Sequence, residues 1–476
     1  LNVAGGVFDK IFQIFFDEGA NETKVAVLRD SDVENSCTLE TQKSIRELKP
    51  IFDAGCQLAI RNPSDRKIYF NKNGTLTEFT TSEASDLKDV WQSAEASVDT
   101  EDEARCIIRY LRGERVASDS SCSSLPFIQR SREFDSASFG ALCPTYSASS
   151  EVTWKLGDIV YSTPAVVSGE PNNIYHLRYN DGTYLNYIRQ DAYKNRTSFI
   201  FIGANDGMLH AFRLGKIKER KVCSNDTNRT CTIDTDCSGG YCMPDPEKPV
   251  EVSNSPSSDI GKEEWAFIPK NALPYLVWLG RNDYCHVPTV DYRLYVFDAS
   301  INGSPNDNKQ PSSWRTLLVG TMGFGGRDLG DYSSSIFVLD LTDWLNGTAD
   351  RPSLLWEKSL PDKTLTTSYP AIVRLGDPNK NGEWYLVIGT GPLYAGDKPG
   401  VGGEEEYANQ AKLYFFDLRN GNLVKSIDIP GANIAVGDIA VVDVDNDYRD
   451  DVIYFGVYGK DNSGRSVGGF YRLSLR

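Results

Sequence analysis

The sequence lacks the features of several large classes of protein. No run approaches the roughly 20 consecutive apolar residues that a membrane-spanning helix needs. Basic residues are outnumbered, because 50 Lys and Arg stand against 66 Asp and Glu, and the formal net charge is −16. Phosphate backbones are bound by basic surfaces, so this balance argues against a nucleic-acid partner. We therefore predict no transmembrane segment and no nucleic-acid binding.

Catalytic motifs are also missing from the sequence. The three histidines are His176, His210 and His286, and no Gly-x-Ser-x-Gly elbow is present. The glycine-rich run at 323–326 lacks the Lys-Ser/Thr pair and the strand–helix context of a phosphate-binding loop. We interpret His210 as a structural residue rather than a catalytic base, because buried polar groups are usually paired. We predict that the protein is not an enzyme.

The ten cysteines form no CxxC pair and no CxxCH motif, so zinc-ribbon, thioredoxin and c-type haem sites have no support. Four of them lie in one polar segment without apolar periodicity: Cys223, Cys231, Cys237 and Cys242. Such a segment cannot build its own core, so we predict that two internal disulfides hold it together. Four cysteines allow three connectivities, and the sequence does not choose among them. Disulfides form in oxidising compartments, so we expect an exported protein.

A dense group of carboxylates lies near the C-terminal end. Asp443, Asp445, Asp447 and Asp451 occupy the first, third, fifth and ninth positions of one loop. Alternate side chains in a tight turn direct their oxygens to one point, and calcium takes roughly six to eight oxygen ligands. Without a cation, carboxylates about 4 Å apart repel by roughly 4 kcal/mol at an effective dielectric constant of 20. We predict a calcium site with these four side chains and the backbone carbonyl of Arg449 as ligands.

The context of this loop differs from that of an EF-hand. Apolar strand-like runs flank it at 437–442 and 452–457, and position twelve is Tyr454 rather than Glu. The loop is therefore predicted to join the two strands of a hairpin. Tyr448 is unusual, because a small residue is commoner at its position. A second acidic turn, at 377–381, starts in the same way but has Tyr385 at its ninth position, which makes it a weak candidate.

After residue 156 the sequence repeats three strand-like pieces in the same order. These pieces are apolar runs led by a small residue and Pro at 162–167 and 368–373, strands ending in Gly at 199–203, 317–320, 385–389 and 453–456, and strands ending near Asp at 293–298, 336–340 and 413–417. The repetition indicates an all-β fold. We predict a modified β-propeller of about seven blades, with irregular insertions and a few short helices.

The remaining elements are predicted from local patterns. We expect an N-terminal segment at 1–50, as the end of a larger N-terminal region, and the propeller at 51–476, with a Cys-rich insert at 216–258. The segments 216–258, 301–313 and 394–410 are interpreted as loops. Apolar residues at helical spacing predict an amphipathic helix at 7–16. A hairpin is predicted at 66–79, around Asn73-Gly74, and a helix near 100–112, with a capping box at its start.

Several motifs together resemble the PilY-type proteins, which are tip and biogenesis factors of bacterial type IV pili. The motifs run in family order: Ile107-Ile-Arg-Tyr-Leu-Arg-Gly113, Leu156-Gly-Asp-Ile-Val160 with Ser162-Thr-Pro164, Gly203-Ala-Asn-Asp-Gly-Met-Leu-His-Ala-Phe212, Glu264-Trp-Ala-Phe-Ile-Pro269, Tyr284-Cys-His286 with Val290-Asp291, Trp314-Arg-Thr-Leu-Leu-Val-Gly320 with 323–327, 384–391, and the loop 443–451. The resemblance covers residues 50–476. The Cys-rich insert is not part of the family pattern.

The resemblance implies a C-terminal propeller and a calcium site that controls pilus extension and retraction. It implies the same ligands: Asp443, Asp445, Asp447, Asp451 and the carbonyl of Arg449. It further implies minor pilins and the pilus tip complex as partners, adhesion to a host or abiotic surface, and a place at the pilus tip or bacterial outer surface, reached through the periplasm. Two alternatives are a pyrroloquinoline-quinone-type dehydrogenase, whose adjacent cysteines are absent here, and a calcium-stabilised extracellular binding propeller.

Overall fold

The structure is a computed structural model that describes residues 10–30, 37–44, 52–94, 98–116, 119–123, 125–126, 128, 130–246, 250–253, 259–284, 286–326, 329–330, 332–393, 406–461 and 463–475. The chain divides into two compact units. The first comprises Leu1–Asp53 and Leu214–Ile260, and the second comprises Ala54–Arg213 and Gly261–Arg476. The predicted boundaries at residue 50 and around 216–258 remain predictions about domains.

Strands dominate the described residues, and this confirms the all-β class. They are, in chain order, β1 (Lys10–Asp17), β2 (Glu22–Asp30), β3 (Cys37–Ser44), β4 (Ile68–Lys72), β5 (Thr75–Glu78), β6 (Glu133–Phe134), β7 (Val152–Thr153), β8 (Ala165–Val167), β9 (Ser198–Gly203), β10 (Leu209–Glu219), β11 (Lys221–Cys223), β12 (Asp226–Thr230), β13 (Cys242–Pro244), β14 (Val250–Ser253), β15 (Glu263–Ile268), β16 (Leu294–Ser300), β17 (Trp314–Thr321), β18 (Ser335–Asp340), β19 (Ser353–Ser359), β20 (Ala371–Leu375), β21 (Glu383–Gly389), β22 (Pro392–Leu393), β23 (Glu406–Tyr407), β24 (Lys412–Asp417), β25 (Leu423–Asp428), β26 (Ile434–Val442), β27 (Val452–Lys460) and β28 (Ser466–Ser474).

The helices are short. The α-helices are α1 (Ala54–Ile60), α2 (Ala84–Ser93), α3 (Glu101–Arg112), α4 (Ser136–Leu142), α5 (Tyr175–Arg178), α6 (Gly182–Ile188), α7 (Asp191–Lys194) and α8 (Thr342–Leu345). Helical turns of the 3-10 type occur at Pro63–Asp65, Thr81–Glu83, Asp234–Asp236, Lys270–Gly280 and Pro311–Ser313. Among the described residues, no helix is both long enough and apolar enough to cross a membrane.

The first unit begins with an antiparallel sheet in the order β1-β2-β3. The prediction of an amphipathic helix at 7–16 is wrong, because residues from Lys10 onward form β1 and pair with β2; residues 7–9 lie outside the described part. The segment 10–17 is followed by turn residues, including Asn21 at φ 50°, and then by a second apolar run. Pairing with this second run satisfies the backbone, and Ile14 and Phe16 lie exposed on one face at the strand period of two.

The Cys-rich segment in the first unit has its own small sheet, in the order β12-β11-β13. Disulfides join Cys223 to Cys237 and Cys231 to Cys242, which confirms the prediction of two internal bridges. The interpretation of 216–258 as a loop is wrong, because the strands β10 to β14 occupy much of it. These strands have no alternating apolar pattern in the sequence, because disulfides rather than an apolar core hold them together. The pattern by which strands are usually recognised is therefore missing.

The second unit contains several antiparallel sheets. Two of them have four strands, in the orders β16-β17-β18-β19 and β20-β21-β24-β25, and a third has three strands, β26-β27-β28. Another sheet runs β5-β4-β15-β10-β9-β8 and includes the parallel pair β4 and β15. The repeated pieces of the sequence correspond to these strands. Two further disulfides, Cys56–Cys143 and Cys106–Cys122, lie in this unit.

Two local predictions in the second unit are confirmed. The hairpin β4–β5 turns at Asn73 and Gly74, whose φ angles of 53° and 88° match the Asn-Gly turn that such hairpins prefer. Helix α3 starts at a capping box in which the Thr100 hydroxyl accepts from the Glu103 N–H at 3.2 Å and the Glu103 carboxylate accepts from the Thr100 N–H at 2.8 Å. The helix ends at Gly113, which adopts φ 96°.

Three of the motifs that carry the family resemblance meet at Asp291: those at 156–164, 203–212 and 290–291. Its carboxylate accepts hydrogen bonds from the backbone N–H groups of Val160, Tyr161 and Ser162 and from the Asn205 side chain, at 2.8–3.0 Å. One buried carboxylate thereby joins segments that lie 129 and 86 residues before it in the chain. These short motifs therefore act as structural connections between strands.

A second group of buried charges surrounds His210. Its Nδ1 lies 2.8 Å from Glu263 Oε1, and its Nε2 lies 3.1 Å from Asp206 Oδ2. Glu263 also accepts two hydrogen bonds from the guanidinium of Arg66. Burial alone would lower the pKa of His210, but Asp206 and Glu263 outweigh burial and raise it to about 9. The prediction that His210 is buried and paired is confirmed, and its structural rather than catalytic role stays a prediction.

Candidate calcium site

The acidic loop joins β26 to β27, which pair antiparallel with Val442 opposite Val452. The predicted hairpin is therefore confirmed. The Asp451 N–H donates to the Val442 carbonyl at 3.0 Å and closes the base of the loop. Asn446 and Tyr448 adopt positive φ angles, 57° and 72°, which turn the chain tightly between the two ends.

The loop brings three of the predicted ligands together. Asp443, Asp445 and Asp447 each offer a carboxylate oxygen, and these oxygens all lie within 4.8 Å of one another. Asp443 is buried, with 3% of its surface exposed. Its Oδ2 accepts from the Tyr448 N–H at 3.0 Å, whereas its Oδ1 is buried without a hydrogen-bond partner among the described residues. A buried carboxylate oxygen without a donor is costly unless a cation compensates it.

The other two predicted ligands have different surroundings. Asp451 lies at the end of the loop, and its Oδ2 accepts from the Val444 N–H at 2.8 Å, which holds the carboxylate against the first half of the loop. The Arg449 side chain forms an ion pair with Asp447, with 2.5 Å between Nη2 and Oδ2. The ligand roles of Asp451 and of the Arg449 carbonyl remain predictions.

The donor set fits a hard divalent cation. Carboxylate oxygens are the preferred ligands of calcium, and the cluster contains no nitrogen or sulfur donor. At a separation of 4.8 Å, two carboxylates repel by about 3 kcal/mol at an effective dielectric constant of 20. The Arg449 guanidinium offsets part of this repulsion at Asp447 but does not hydrogen-bond to Asp443 Oδ1.

Tyr448 anchors the loop to neighbouring elements of the second unit, which are the α5–α6 region and strand β20. Its ring stacks on Tyr179 with 4.0 Å between ring centroids, and its hydroxyl donates to Asp181 Oδ2 at 3.0 Å. Its carbonyl accepts from Arg374 Nη1 at 2.7 Å. The side chain is 6% exposed, so it belongs to the core. The large residue at this position, which the sequence marked as unusual, fixes the buried half of the loop in place.

Two arginines that the sequence did not single out support the loop from outside. Arg178 donates through Nε to Asn446 Oδ1 at 2.9 Å and through Nη2 to the Asp443 carbonyl at 2.8 Å. Arg374 exchanges backbone hydrogen bonds with Asp450, whose carboxylate accepts from the Arg374 N–H at 2.7 Å and whose N–H donates to the Arg374 carbonyl at 2.9 Å. Burial raises the pKa of Asp450 to about 6.

The second acidic turn is organised around a side-chain cation. Arg374 Nη2 donates to the carbonyls of Asp377 and Lys380, at 3.1 Å and 3.0 Å. The Asp377 carboxylate accepts from the Asn379 N–H at 2.8 Å. A guanidinium thus satisfies turn carbonyls that could otherwise face a metal ion, which agrees with the weakness of this turn as a calcium candidate.

Comparison with known proteins identifies relatives of one kind. The chain is 25% identical over 389 residues to a type IV pilus biogenesis factor PilY1 homolog of Xylella fastidiosa (strain Temecula1), and the match covers 75% of this chain and 19% of that protein. It is 30% identical over 248 residues to a further PilY1 homolog of the same strain, which covers 51% of this chain and 14% of that protein. It is 28% identical over 291 residues to the type IV pilus biogenesis factor PilY1 of Pseudomonas aeruginosa (strain UCBPP-PA14), with coverages of 58% and 17%.

The chain thus spans less than a fifth of the length of these curated relatives. Among solved structures, the C-terminal domain of Pseudomonas aeruginosa PilY1 matches with 21% identity and a TM-score of 0.37, covering 62% of this chain and 44% of that one. A TM-score of this size does not establish a shared fold. No family model matches the chain.

Proposed function

Because the chain belongs to the PilY-type proteins, we propose that it is a calcium-binding component of the type IV pilus system that supports pilus biogenesis and surface adhesion. Its partners are then minor pilins and the pilus tip complex, with a host or abiotic surface as the adhesion target. Its place is the pilus tip or the bacterial outer surface. The names of the relatives state pilus biogenesis of much longer proteins. Calcium binding, adhesion and the named partners are what the family resemblance implies.

One observation supports the calcium part of this proposal most strongly. Asp443 Oδ1 is buried without a donor, beside two further carboxylate oxygens within 4.8 Å. The proposed ligands are the side chains of Asp443, Asp445, Asp447 and Asp451 and the carbonyl of Arg449. A bound calcium ion supplies the positive charge that these groups need in order to converge. The chain supplies the fixed frame, because Tyr448 and the β26–β27 hairpin hold the two ends of the loop.

The two halves of the loop differ in how firmly the chain holds them. Asp443 and Tyr448 are buried and hydrogen-bonded to residues of neighbouring elements, among them Arg178 of α5 and Arg374 of β20. By contrast, Asp445 is exposed and Asp447 is partly exposed. We expect calcium to order the exposed half and to leave the buried half in place. A partner that contacts the exposed half would then bind one state better than the other, and that difference would couple calcium to pilus assembly.

The architecture proposed for the second unit is a modified propeller. Its four-stranded sheets β16-β17-β18-β19 and β20-β21-β24-β25 and its three-stranded sheet β26-β27-β28 each pair in an up-and-down order, which is the topology of a propeller blade. The predicted number of about seven blades stays part of the proposal. Such a scaffold presents binding loops on rigid strands, which suits a protein whose task is recognition rather than catalysis.

The pilus assignment is tested in piliated cells that express the protein, beside a strain from which its gene is deleted. Pili are sheared from the surface, and the fraction is probed for the protein and for minor pilins, with calcium and with a chelator. We expect co-recovery in calcium and a several-fold decrease in pilus number for Asp443→Asn. A matched control is Asp461→Asn, which changes a carboxylate in another turn of the same sheet. Absence of the protein from sheared pili, with wild-type pilus number in the deletion strain, would contradict the assignment.

A further inference from the structure

A cavity of about 330 Å³ lies beside the acidic loop in the second unit. Aromatic rings form much of its wall, among them Tyr175, Tyr295 and Trp384, and Ile372 adds an aliphatic side chain. Its volume is at the small end of the range for small-molecule sites, and such sites are apolar cavities with a few placed polar groups. The cavity is therefore suited to one compact ring rather than to a long chain.

Polar groups without intramolecular partners line this cavity. The hydroxyls of Tyr175 and Tyr295 have no hydrogen-bond partner among the described residues, although both side chains are partly buried. Other buried tyrosines nearby do have partners: the hydroxyls of Tyr184 and Tyr193 both donate to Asp298, at 2.7 Å and 2.8 Å. The two hydroxyls have no partner in the protein, so both are available to a polar ligand in the cavity.

The cavity also contains a buried cation. Arg374 is 3% exposed and donates to the carbonyls of Asp377, Lys380 and Tyr448, but its Nε has no partner. Among the described residues no carboxylate lies within ion-pair distance of its guanidinium. Arg178 lines the same cavity and is exposed. Against these two cations the lining offers one carboxylate, that of Asp450, so the cavity carries net positive charge.

From these contacts we propose that the cavity binds an acidic sugar, a pyranose ring that carries one carboxylate. The aromatic wall packs against the apolar face of the ring, and the tyrosine hydroxyls and the Asp450 carboxylate pair with its hydroxyls. The charge of the sugar carboxylate is compensated by Arg374 and Arg178, and the Arg374 Nε–H, which has no partner, can donate to it. The site does not require the calcium ion and goes beyond the proposed role in pilus biogenesis.

The experiment titrates the purified protein with sodium glucuronate by calorimetry, in calcium and in chelator. We expect one saturable site with a dissociation constant on the order of 1 mM, as for a single small ring with one charge. Glucose lacks the carboxylate and should bind at least about tenfold more weakly. Acetate lacks the ring and should also bind at least about tenfold more weakly.

Variants then locate the site without disturbing the fold. Tyr175→Phe and Tyr295→Phe each remove a hydroxyl that has no intramolecular partner, so the melting temperature should stay unchanged. Each should weaken glucuronate binding by roughly 3- to 10-fold, which corresponds to the loss of one hydrogen bond. Tyr454→Phe is the matched control, because Tyr454 lies on β27 outside the cavity and should leave binding unchanged.

Each other outcome overturns the proposal. Absence of saturable binding would show that the cavity takes no acidic sugar. Equal binding of glucose and glucuronate would exclude the role of the arginines, and equal binding of acetate would reduce the site to a simple anion site. Full binding by both tyrosine variants would place the ligand elsewhere on the protein.

Discussion

Replacing His210 by Gln should remove a pH-dependent part of the stability of the second unit. In the folded protein His210 lies between Asp206 and Glu263, which raise its pKa to about 9 from an ordinary value of 6.5. A raised pKa of this kind contributes stability that is fully present below pH 6.5. That contribution is lost as the pH rises through about 9. Arg66 and His210 keep the pKa of Glu263 far below neutrality, so Glu263 stays ionised throughout this window.

The size of the effect follows from the two pKa values. At roughly 1.4 kcal/mol per pH unit, the interval from 6.5 to about 9 corresponds to about 3 kcal/mol in the free energy of unfolding. Lys155 and Lys309 titrate in the same range with the opposite sign, because burial lowers their pKa values to about 7 and about 8. Burial of these charged lysines destabilises the fold at low pH, and this cost falls as the pH rises. The pH profile of the wild type alone therefore cannot isolate His210.

The assay therefore compares the wild type with His210→Gln by chemical denaturation, with disulfides intact, at several values between pH 6 and pH 9. The free energy of unfolding of the wild type should exceed that of the variant by about 3 kcal/mol more at pH 6 than at pH 9. The contributions of Lys155 and Lys309 to the free energy of unfolding are the same in both proteins and cancel in this difference. A difference that stays constant across the range would refute the account of His210 as a charged member of the buried group.

Three further predictions concern the Cys-rich sheet and the acidic loop. Peptide mapping of unreduced, secreted protein should find Cys231 joined to Cys242; alkylation of both as free thiols would contradict the structure. Arg449→Gln should strengthen calcium binding by up to about 5-fold, because it removes a cation from the partly exposed Asp447; weaker binding in calorimetry would show that the side chain supports the site. Tyr448→Gly should lower the free energy of unfolding by about 3 kcal/mol despite relief of its positive φ angle; unchanged thermal melts would disprove its anchoring role.

The sequence predicts well those parts of the fold that depend on residues close together in the chain. The capping box at Thr100 and Glu103 involves residues three apart, and the Asn73-Gly74 turn involves two adjacent ones, so their spacing is visible in the sequence. The alternating carboxylates of the acidic loop are also close neighbours in the sequence. For this reason the prediction that Asp443, Asp445 and Asp447 lie close together holds. In these cases the local backbone geometry fixes where the side chains lie, whatever the rest of the chain does.

The missed features depend on distant pairing. The segment 10–17 has apolar residues at helical spacing but becomes a strand, because a second run at 22–30 pairs with it. Arg178 reaches the loop from 265 residues away, and Arg374 from 74 residues away. No local pattern marks either arginine as a support of the acidic loop. The strands of the Cys-rich segment were missed for a related reason, since disulfides rather than apolar side chains hold them.

The calcium site is tested most directly by calorimetric titration of calcium into the calcium-free protein, for the wild type and for Asp443→Asn. The substitution keeps the shape of the side chain and removes the charge of the buried carboxylate whose Oδ1 has no partner. We expect one saturable site in the wild type, a higher melting temperature in calcium, and loss of both in the variant, whereas Asp461→Asn should behave as the wild type. Calcium binding by Asp443→Asn at wild-type affinity, or a wild type that neither binds calcium nor melts differently with it, would contradict the account.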